Sequence, residues 1–477
     1  MSYTEHLNSG LEASAGEVKR TNVGICQEYD KQDDFTLDRS RPYDKQYYSM
    51  YQYRLSTMKK RVDSEAMDKW GDNTRKVDGR NIIHKEKILD IQSGELCWVS
   101  GTVFSDMSHK LNILKDVEKG TDDILPEAPS SYTGEELPIV MLEDESGRAV
   151  LHNEEFLKKN ILVTGCIIAV LGIELQAGIF EIMDVVYPKI SPQKPLTPSG
   201  LGKIAIISGL DIKSDIEYDL KLELLKQYLC GYLGNTNDKN NSSGISQLIV
   251  AGNSVASIEE EKLKREEEDF VTTNNYGLKN TSKFNPQSLI AFNKLINDLL
   301  PTMPVLIMPG SNDPAEINLP QQKLHPSLLG SNKQYLGGIN FHRLTNPAWI
   351  ELENGLRILG TCGQNVDDIL KYLPLQLVND EHIEMKIMNS SIKWQNIIPT
   401  APDTLYSHPF DNFDPYLLRN ETPHLYFVGN QKRYDADLLQ SDQIKVKLIS
   451  VPKFSSTGEI VLVDTQSLQL EVVKISL

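Results

Sequence analysis

The sequence predicts two domains, a small closed β-barrel followed by a layered α/β domain. Three observations lead to this prediction. Short segments rich in β-branched residues crowd into residues 87–187, apolar strands alternate with helical patterns from residue 203 onward, and the proline-rich stretch 188–202 lies between them as a linker. At 477 residues the chain is long enough for two or three ordinary domains.

The N-terminal residues precede the barrel. Residues 1–40 are polar with few large aliphatic side chains, which predicts a flexible tail. Residues 41–86 are predicted to be a helical segment, because apolar residues recur there at steps of three or four and would share one helix face. That face either packs on the protein's own core or, given its tyrosines, contacts a partner. Its residues are Tyr47, Tyr51, Leu55, Met58 and Val62.

Residues 87–187 carry the signals of a barrel. Turn-forming residues, notably Ser146-Gly147 and Ala177-Gly178, separate segments rich in β-branched residues. Several short strands with few helical patterns are typical of a small closed barrel. A charged stretch with prolines, between Asp106 and Glu136, is predicted to be a mobile insertion. The predicted strands are 96–104, 137–144, 161–175 and 179–187.

From residue 203 to residue 477 strands and helices alternate before strands return in the C-terminal third. Apolar strands that end in glycine and polar residues and are separated by helices are typical of an α/β layered domain. A charged insertion at about 235–285 is predicted to be solvated. The first predicted strands are 203–210, 247–255 and 305–313, and the helices between them are 218–233 and 288–301.

Composition narrows the classes of function. A formal net charge of -17 repels phosphate backbones, so strong nucleic-acid affinity is not expected. The five cysteines form no CxxC pair, which argues against a zinc site and against a disulfide framework. The N-terminus lacks an apolar signal core and no run approaches the length of a membrane span, so we expect a cytoplasmic or nuclear protein without membrane contact.

The strand ends of the α/β domain suggest its ancestry, because functional residues of open α/β sheets lie just past the carboxyl ends of the strands. The ordered set at these ends resembles the calcineurin-like metallophosphoesterase superfamily, which carries Asp-x-His, Gly-Asp, Gly-Asn-His-Asp/Glu and Gly-His-x-His there. That resemblance implies a layered β-sandwich flanked by helices. Here the corresponding residues are Ser208-Gly209-Leu210, Gly252-Asn253-Ser254, Pro309-Gly310-Ser311-Asn312-Asp313 and Gly429-Asn430-Gln431.

The same resemblance implies that the metal ligands have been lost. Two adjacent divalent ions need carboxylates and imidazoles, whereas neutral amides, hydroxyls and a leucine cannot offset their charge. Only Asp313 keeps a ligand carboxylate, and Asp211 lies one residue past a ligand position. The sequence therefore predicts a catalytically inactive domain with no catalytic, cofactor-binding or metal-binding residue. The vestigial positions are Ser208, Leu210, Asn253, Ser311, Asn312, Asp313 and Asn430.

An inactivated phosphoesterase domain preceded by a small barrel resembles the B-subunit family of replicative DNA polymerases. Several long strings resemble its polymerase delta branch, and the match runs from about residue 40 to the C-terminus. Among these strings are QYYSMYQYRL (46–55), KILDIQSGELCWVSGTVF (87–104), KWQNIIPTAPDTL (393–405) and FSSTGEIVLVD (454–464).

What this resemblance implies is an OB-fold barrel and a phosphodiesterase-like domain that serve as a non-catalytic accessory scaffold without a cofactor. The implied partners are the cysteine-rich C-terminal domain of the polymerase delta catalytic subunit, a third polymerase delta subunit, and the polymerase zeta catalytic subunit. Contact with the sliding clamp and with DNA would be indirect, through the complex. The implied setting is DNA replication, repair and translesion synthesis in the nucleus.

Two alternatives come from other classes of function. The first is an active metallophosphoesterase, which would need ligands that the sequence does not display at the strand ends. The second is an OB-type module that binds single-stranded DNA, which would need stacking aromatics in a basic groove. The predicted barrel strands offer Trp98, Phe104, Phe180 and Tyr187, but almost no lysine or arginine among them.

Overall fold

The computed structural model describes residues 20–476, except for segments 27–28, 41–43, 111–128, 197–201, 214–218 and 258–283 and the single residues 22, 32, 39, 136, 177 and 442. The chain divides into two compact units. The barrel unit contains residues 40–193 and 364–422, and the sandwich unit contains residues 1–39, 194–363 and 423–477.

Helices and strands are numbered here in chain order. The α-helices are α1 Tyr48–Trp70, α2 Glu154–Lys159, α3 Leu220–Leu229, α4 Thr236–Ser243, α5 Pro286–Leu299, α6 Gln364–Lys371, α7 Leu375–Val378, α8 Ile383–Lys393 and α9 Phe454–Thr457, with 3₁₀ turns at Ile88–Asp90 and Pro326–Tyr335. The strands are β1 Lys76–Val77, β2 Arg80–Asn81, β3 Ile83–His84, β4 Leu96–Asp106, β5 Ile139–Glu143, β6 Arg148–His152, β7 Ile167–Gln176, β8 Ile179–Val186, β9 Lys203–Ile207, β10 Ile245–Ala251, β11 Val305–Met308, β12 Phe341–Arg343, β13 Ala348–Glu351, β14 Arg357–Thr361, β15 Leu425–Gln431, β16 Asp435–Ser441, β17 Ile444–Pro452, β18 Glu459–Asp464 and β19 Leu470–Lys474.

The barrel unit is built on a sheet of order β3-β4-β5-β6-β8-β7, which an additional β4–β7 pairing closes. The predicted closed barrel is therefore present. From Gly101 to Asp106 of β4, buried residues alternate with more exposed ones, as the pleat of a strand requires. β6 was not among the predicted strands, because this short segment after Ser146-Gly147 begins and ends with polar residues.

Helix α1 packs on the outer face of this barrel. Met58, Val62, Ala66 and Trp70 form one core with barrel residues that include Trp98. Within the predicted helical segment 41–86, a helix spans only Tyr48–Trp70, and its apolar face packs on the protein's own core. The rest of that segment, as far as it is described, is not helical: it contains the short strands β1, β2 and β3, and β3 pairs with the barrel strand β4. The buried stripe differs from the predicted one, because Met50 and Arg54 are buried where Tyr47 is 39% exposed and Leu55 is half-buried.

The sandwich unit consists of two sheets that enclose an apolar core. One sheet has the order β12-β11-β10-β9-β18-β19 and the other the order β13-β14-β15-β17-β16. Alternate residues of β9 divide between two cores: Ile204 and Ile206 face the core between the sheets, whereas Ala205 and Ile207 face the core with α3 and α5. The layered β-sandwich with helices on a face agrees with the predicted architecture.

Three further predicted boundaries differ in the structure. Residues 364–422 belong to the barrel unit and not to a domain spanning 203–477. The described part of the predicted flexible tail, residues 20–38, belongs to the sandwich unit and forms hydrogen bonds with the rest of it, as from the Cys26 amide to the Glu351 carbonyl (2.9 Å). Within the predicted insertion, residues 236–251 form α4 and β10.

The remaining predicted segments lie mostly outside the described residues. These are residues 1–19 of the tail, 111–128 of the barrel insertion, 197–201 of the linker and 258–283 of the charged insertion. The described part of the linker includes Ser191, which is buried and accepts and donates hydrogen bonds within the barrel unit.

Candidate functional site

The predicted site lies where the carboxyl ends of strands from both sheets of the sandwich unit meet. β9, β10 and β11 are parallel neighbours, so their ends share one edge of the sheet. The Gly209 amide donates to the Gly252 carbonyl (3.0 Å), which joins the first two ends. The Asn430 amide, at the end of β15, donates to Ser208 Oγ (2.8 Å) and joins the second sheet to them.

Ser208 and Leu210 stand at the two predicted ligand positions after β9. Both side chains are buried within the sandwich unit. Ser208 is fully buried, and its hydroxyl lies 3.0 Å from the Pro452 carbonyl to which it donates. Leu210 is 3% exposed and packs in the core on the helix side of the sheet. The structure therefore places Leu210 away from the polar strand ends, and Ser208 bonds to backbone.

Asn253, at the predicted position of a bridging ligand after β10, has a left-handed backbone, with φ of +52°. Its Oδ1 accepts from Ser311 Oγ (3.2 Å) and from the Asn312 amide (3.1 Å). A side chain at Gly310 would lie 2.3 Å from the Asn253 nitrogen, so the loop after β11 approaches closely only because residue 310 is glycine. Asn253 thus organises the loop that contains the third motif.

Asp313 is buried, and backbone amides surround its carboxylate. Oδ1 accepts from the amides of Ser254 (2.8 Å) and Val255 (3.2 Å), and Oδ2 accepts from the Gly310 amide (2.8 Å). Burial raises the pKa of Asp313 to about 6, and the three amide donors oppose that rise. Both carboxylate oxygens of this surviving ligand position are therefore engaged by the backbone.

Asn430, at the position where the sequence resemblance implied late histidines, also has a positive φ, +59°. Its side-chain Nδ2 donates to the carbonyls of Ala251 (3.1 Å) and Cys362 (2.7 Å). Its Oδ1 is buried without a hydrogen-bond partner among the described residues. The amide therefore ties β15 to β10 and β14, and it presents one neutral oxygen to the interior.

Asp211 and Ser455 also contribute to this site, although the sequence motifs did not include them as ligand positions. Asp211 Oδ2 accepts from Ser455 Oγ (2.9 Å), and its Oδ1 accepts from Asn312 Nδ2 (3.3 Å). In the sequence, Asp211 is marked only by its place next to a ligand position. Its contact with Asn312 joins residues 101 positions apart, which no local pattern could indicate.

The arrangement does not fit a pair of divalent cations. Such a pair needs several anionic or imidazole donors, and the carboxylate at Asp313 is saturated by amides. In the described part of the chain, no group of three or more His, Cys, Asp and Glu side chains could hold a metal ion. The predicted loss of catalysis remains a prediction, since it concerns activity.

Comparison with known proteins places the chain in one family. The family model of the DNA polymerase alpha/epsilon B-subunit matches residues 204–436, and that of the "DNA polymerase delta subunit OB-fold domain" matches residues 46–185. The "DNA polymerase delta small subunit" of Saccharomyces cerevisiae is 36% identical over 96% of this chain and 96% of its own length. The chain belongs to the DNA polymerase delta small-subunit family.

Other members of this family are similar over most of their length. The "DNA polymerase delta small subunit" of Oryza sativa subsp. japonica is 32% identical over 82% of this chain and 86% of its own. The "DNA polymerase delta subunit 2" of Drosophila melanogaster is 30% identical over 92% and 95%. The resemblance to the polymerase delta branch that the sequence strings indicated is confirmed, and so is the OB-fold of the barrel.

The OB-fold domain of this family member buries two of the aromatics that a DNA-binding barrel would use for stacking. Trp98 and Phe180 are at most 1% exposed, and the Trp98 indole donates to the Gly71 carbonyl (2.8 Å) while stacking on His84. Phe104 is half-buried beneath the Arg148 guanidinium, 5.2 Å from the ring centre. Phe104 and the half-buried Tyr187 thus remain as partly accessible rings.

Among the described residues, no helix combines the length and the apolar character needed to cross a membrane.

Proposed function

We propose that this chain is a non-catalytic scaffold subunit of DNA polymerase delta that acts in nuclear DNA replication and repair. In this proposal it bridges the cysteine-rich C-terminal domain of the catalytic subunit to the third subunit. The proposal rests on family membership over 96% of the chain, with relatives whose names are those of polymerase delta small subunits.

The non-catalytic part of the proposal rests on one observation. The polar side chains at the strand ends form hydrogen bonds with the backbone of neighbouring segments. Asp313 accepts three backbone amides, Asn253 accepts the Asn312 amide, and Asn430 donates to two carbonyls. Groups that hold loops in this way support a site whose function is structural, because a metal or substrate would have to displace their backbone partners.

Two further associations belong to the same proposal. Sharing with the polymerase zeta catalytic subunit would extend the role to translesion synthesis. The sliding clamp and DNA would be reached through the complex, which is supported by the net charge of -17 and by the burial of Trp98 and Phe180.

The test is co-expression of the full chain with the catalytic and third subunits of polymerase delta, followed by affinity purification through this chain. We expect both subunits in stoichiometric amounts. Omission of the third subunit should not release the catalytic one. Recovery of neither would overturn the scaffold proposal.

The active-enzyme alternative is tested on the same preparation. The full chain should not hydrolyse a nitrophenyl phosphodiester or single-stranded DNA with manganese or magnesium. Turnover that Asp313→Asn abolishes, and that Asp437→Asn on the exposed strand β16 leaves intact, would establish an active phosphoesterase instead.

A further inference from the structure

The sandwich unit has four sheet edges, and each is a potential site for pairing with another chain. β12 and β19 are the outer strands of one sheet, and β13 and β16 are those of the other. An edge strand presents backbone N–H and C=O groups that can template an added strand, and proteins commonly block such edges. The four edges differ in how far the chain itself blocks them.

The β13 edge is covered by another segment of the chain, and the β12 edge is very short. The Cys26 amide donates to the Glu351 carbonyl, and the Glu353 amide donates to the Gly24 carbonyl, each at 2.9 Å, so residues 24–26 lie along the β13 edge. β12 has only three residues, Phe341–Arg343. Very short or covered edges give an incoming strand little to pair with.

The β16 edge is blocked by its own aspartates. The Ala436 amide donates to Asp435 Oδ1 and the Leu438 amide donates to Asp437 Oδ1, both at 2.8 Å. These amides belong to the alternate residues of β16 that point away from β17 in the antiparallel pairing. Their donors are thus occupied, and the aspartates add negative charge along the edge.

The β19 edge lacks the features that block the other three edges. The Asp464 amide donates to the Gln469 carbonyl (2.9 Å), and the Ile475 amide donates to the Gly458 carbonyl (2.8 Å). Together with the pairing register, these two bonds show which alternate residues of β19 bond to β18 and which point away from it. By that alternation Leu470, Val472 and Lys474 direct their amides outward. Among the described residues, no hydrogen bond occupies these three amides.

We propose that β19 accepts an extended segment of a partner polymerase subunit as an added strand. This inference rests on the proposed scaffold function, because it assigns one partner segment to a surface of this chain. Strand addition supplies main-chain hydrogen bonds for affinity, and pockets for alternate side chains supply specificity. Leu470 packs against the core between the sheets and Val473 against the helix-side core, so an added strand would extend both apolar faces.

Charge favours a basic partner segment over a second copy of this chain. Two copies would each bring a net charge of -17 to the contact. The Glu471 carboxylate lies on the helix-side face of β19, where it pairs with Lys203 (2.6 Å), accepts from Asn241 Nδ2 (3.0 Å) and is still 40% exposed. A partner segment with lysine or arginine on that face would be attracted, whereas an acidic segment would be repelled.

The first test is Val472→Pro in the full chain, co-expressed with the catalytic and third subunits. Proline at an outward position removes the outward donor and obstructs an incoming strand, yet it leaves the hydrogen bonds to β18 in place. We expect recovery of the subunit that supplies the segment to fall by about tenfold, as loss of one or two main-chain hydrogen bonds predicts. Leu438→Pro, at an outward position of the self-blocked β16, should leave recovery unchanged.

Hydrogen exchange of the unaltered chain gives a second readout that does not depend on folding of a variant. In the purified complex, peptides covering 470–474 should exchange at least about tenfold more slowly than in the chain alone, while peptides covering 436–440 should not change. Unchanged exchange at 470–474 in an assembled complex would overturn strand addition and leave the scaffold function standing. Failure of the unaltered chain to recover any partner would overturn both.

Discussion

At the scale of single residues, the polar side chains at the strand ends of the sandwich unit form hydrogen bonds that hold loops in place. The Asp313 carboxylate accepts amides from two loops, and Asn253 and Asn430 use amide side chains for the same purpose. Each of these contacts satisfies a buried backbone group that would otherwise be costly. The three residues therefore have a reason to persist that does not involve a metal.

The raised pKa of Asp313 predicts that the stability of the folded protein depends on pH. Because burial raises its pKa from 3.8 to about 6, the folded protein binds this proton more tightly than the unfolded chain. The stability it contributes is complete below pH 3.8 and is lost as pH rises through about 6. Between about pH 5 and pH 7.5, the unaltered chain should lose about 1–2 kcal/mol relative to Asp313→Asn.

The measurement is urea unfolding of both proteins across that range, with Asp437→Asn as the exposed control that should parallel the unaltered chain. The prediction is wrong if the difference in unfolding free energy between the unaltered chain and Asp313→Asn stays constant with pH, or if the unaltered chain gains stability relative to the variant as pH rises. Either result would show that the three amide donors outweigh burial in setting the pKa of Asp313.

At the scale of elements, helix α1 is held to the rest of the barrel unit by a buried ion pair as well as by apolar packing. Arg54 Nε donates to Asp414 Oδ2 (2.7 Å), and the other guanidinium nitrogens donate to the carbonyls of Pro399 (2.8 Å) and Ala401 (2.9 Å). Both side chains of the pair are at most 1% exposed. This cluster joins the helix to residues 364–422 and explains why that segment belongs to the barrel unit.

Arg54→Ala should therefore destabilise the barrel unit by about 3–5 kcal/mol, because it leaves the Asp414 charge buried without its partner. Arg54→Lys should recover little, since an ammonium cannot reproduce the planar set of three donors. Lys60→Ala, exposed on the same helix, is the matched control and should change stability by less than about 0.5 kcal/mol. Equal midpoints of urea unfolding for Arg54→Ala and Lys60→Ala would refute the assigned role of the pair.

At the scale of the whole molecule, charge and the placement of aromatics both bear on DNA. The chain has a net charge of -17, and its OB-fold uses Trp98 and Phe180 for its own packing. Binding of single strands by such folds depends on accessible aromatics in a positive groove. These two features predict weak binding of single-stranded DNA by the isolated chain.

The isolated chain should bind a labelled single-stranded oligonucleotide no more tightly than about 10 µM at about 0.15 M salt. Fluorescence anisotropy measures this, and Phe104→Ala tests the half-buried ring that remains partly accessible. Submicromolar binding that Phe104→Ala weakens would favour the DNA-binding alternative.

The sequence by itself determined the kinds of the two folds, the positions of the strand ends and the family. Periodicity and turn residues are local, so β9, β10 and β11 could be predicted directly, together with Asn253 and Asp313 after them. The long strings shared with the polymerase delta branch were specific enough to predict the relatives that were found.

Only the tertiary structure decided which segments pack together and which contacts the polar residues at the strand ends make. Residues 364–422 join the barrel unit through contacts such as Arg54 with Asp414, which are 360 positions apart, and Asp211 meets Asn312 in the same way. The open β19 edge likewise depends on which strand is outermost. A local pattern specifies the conformation of a segment, whereas burial and hydrogen-bond partners depend on where the chain brings distant segments together.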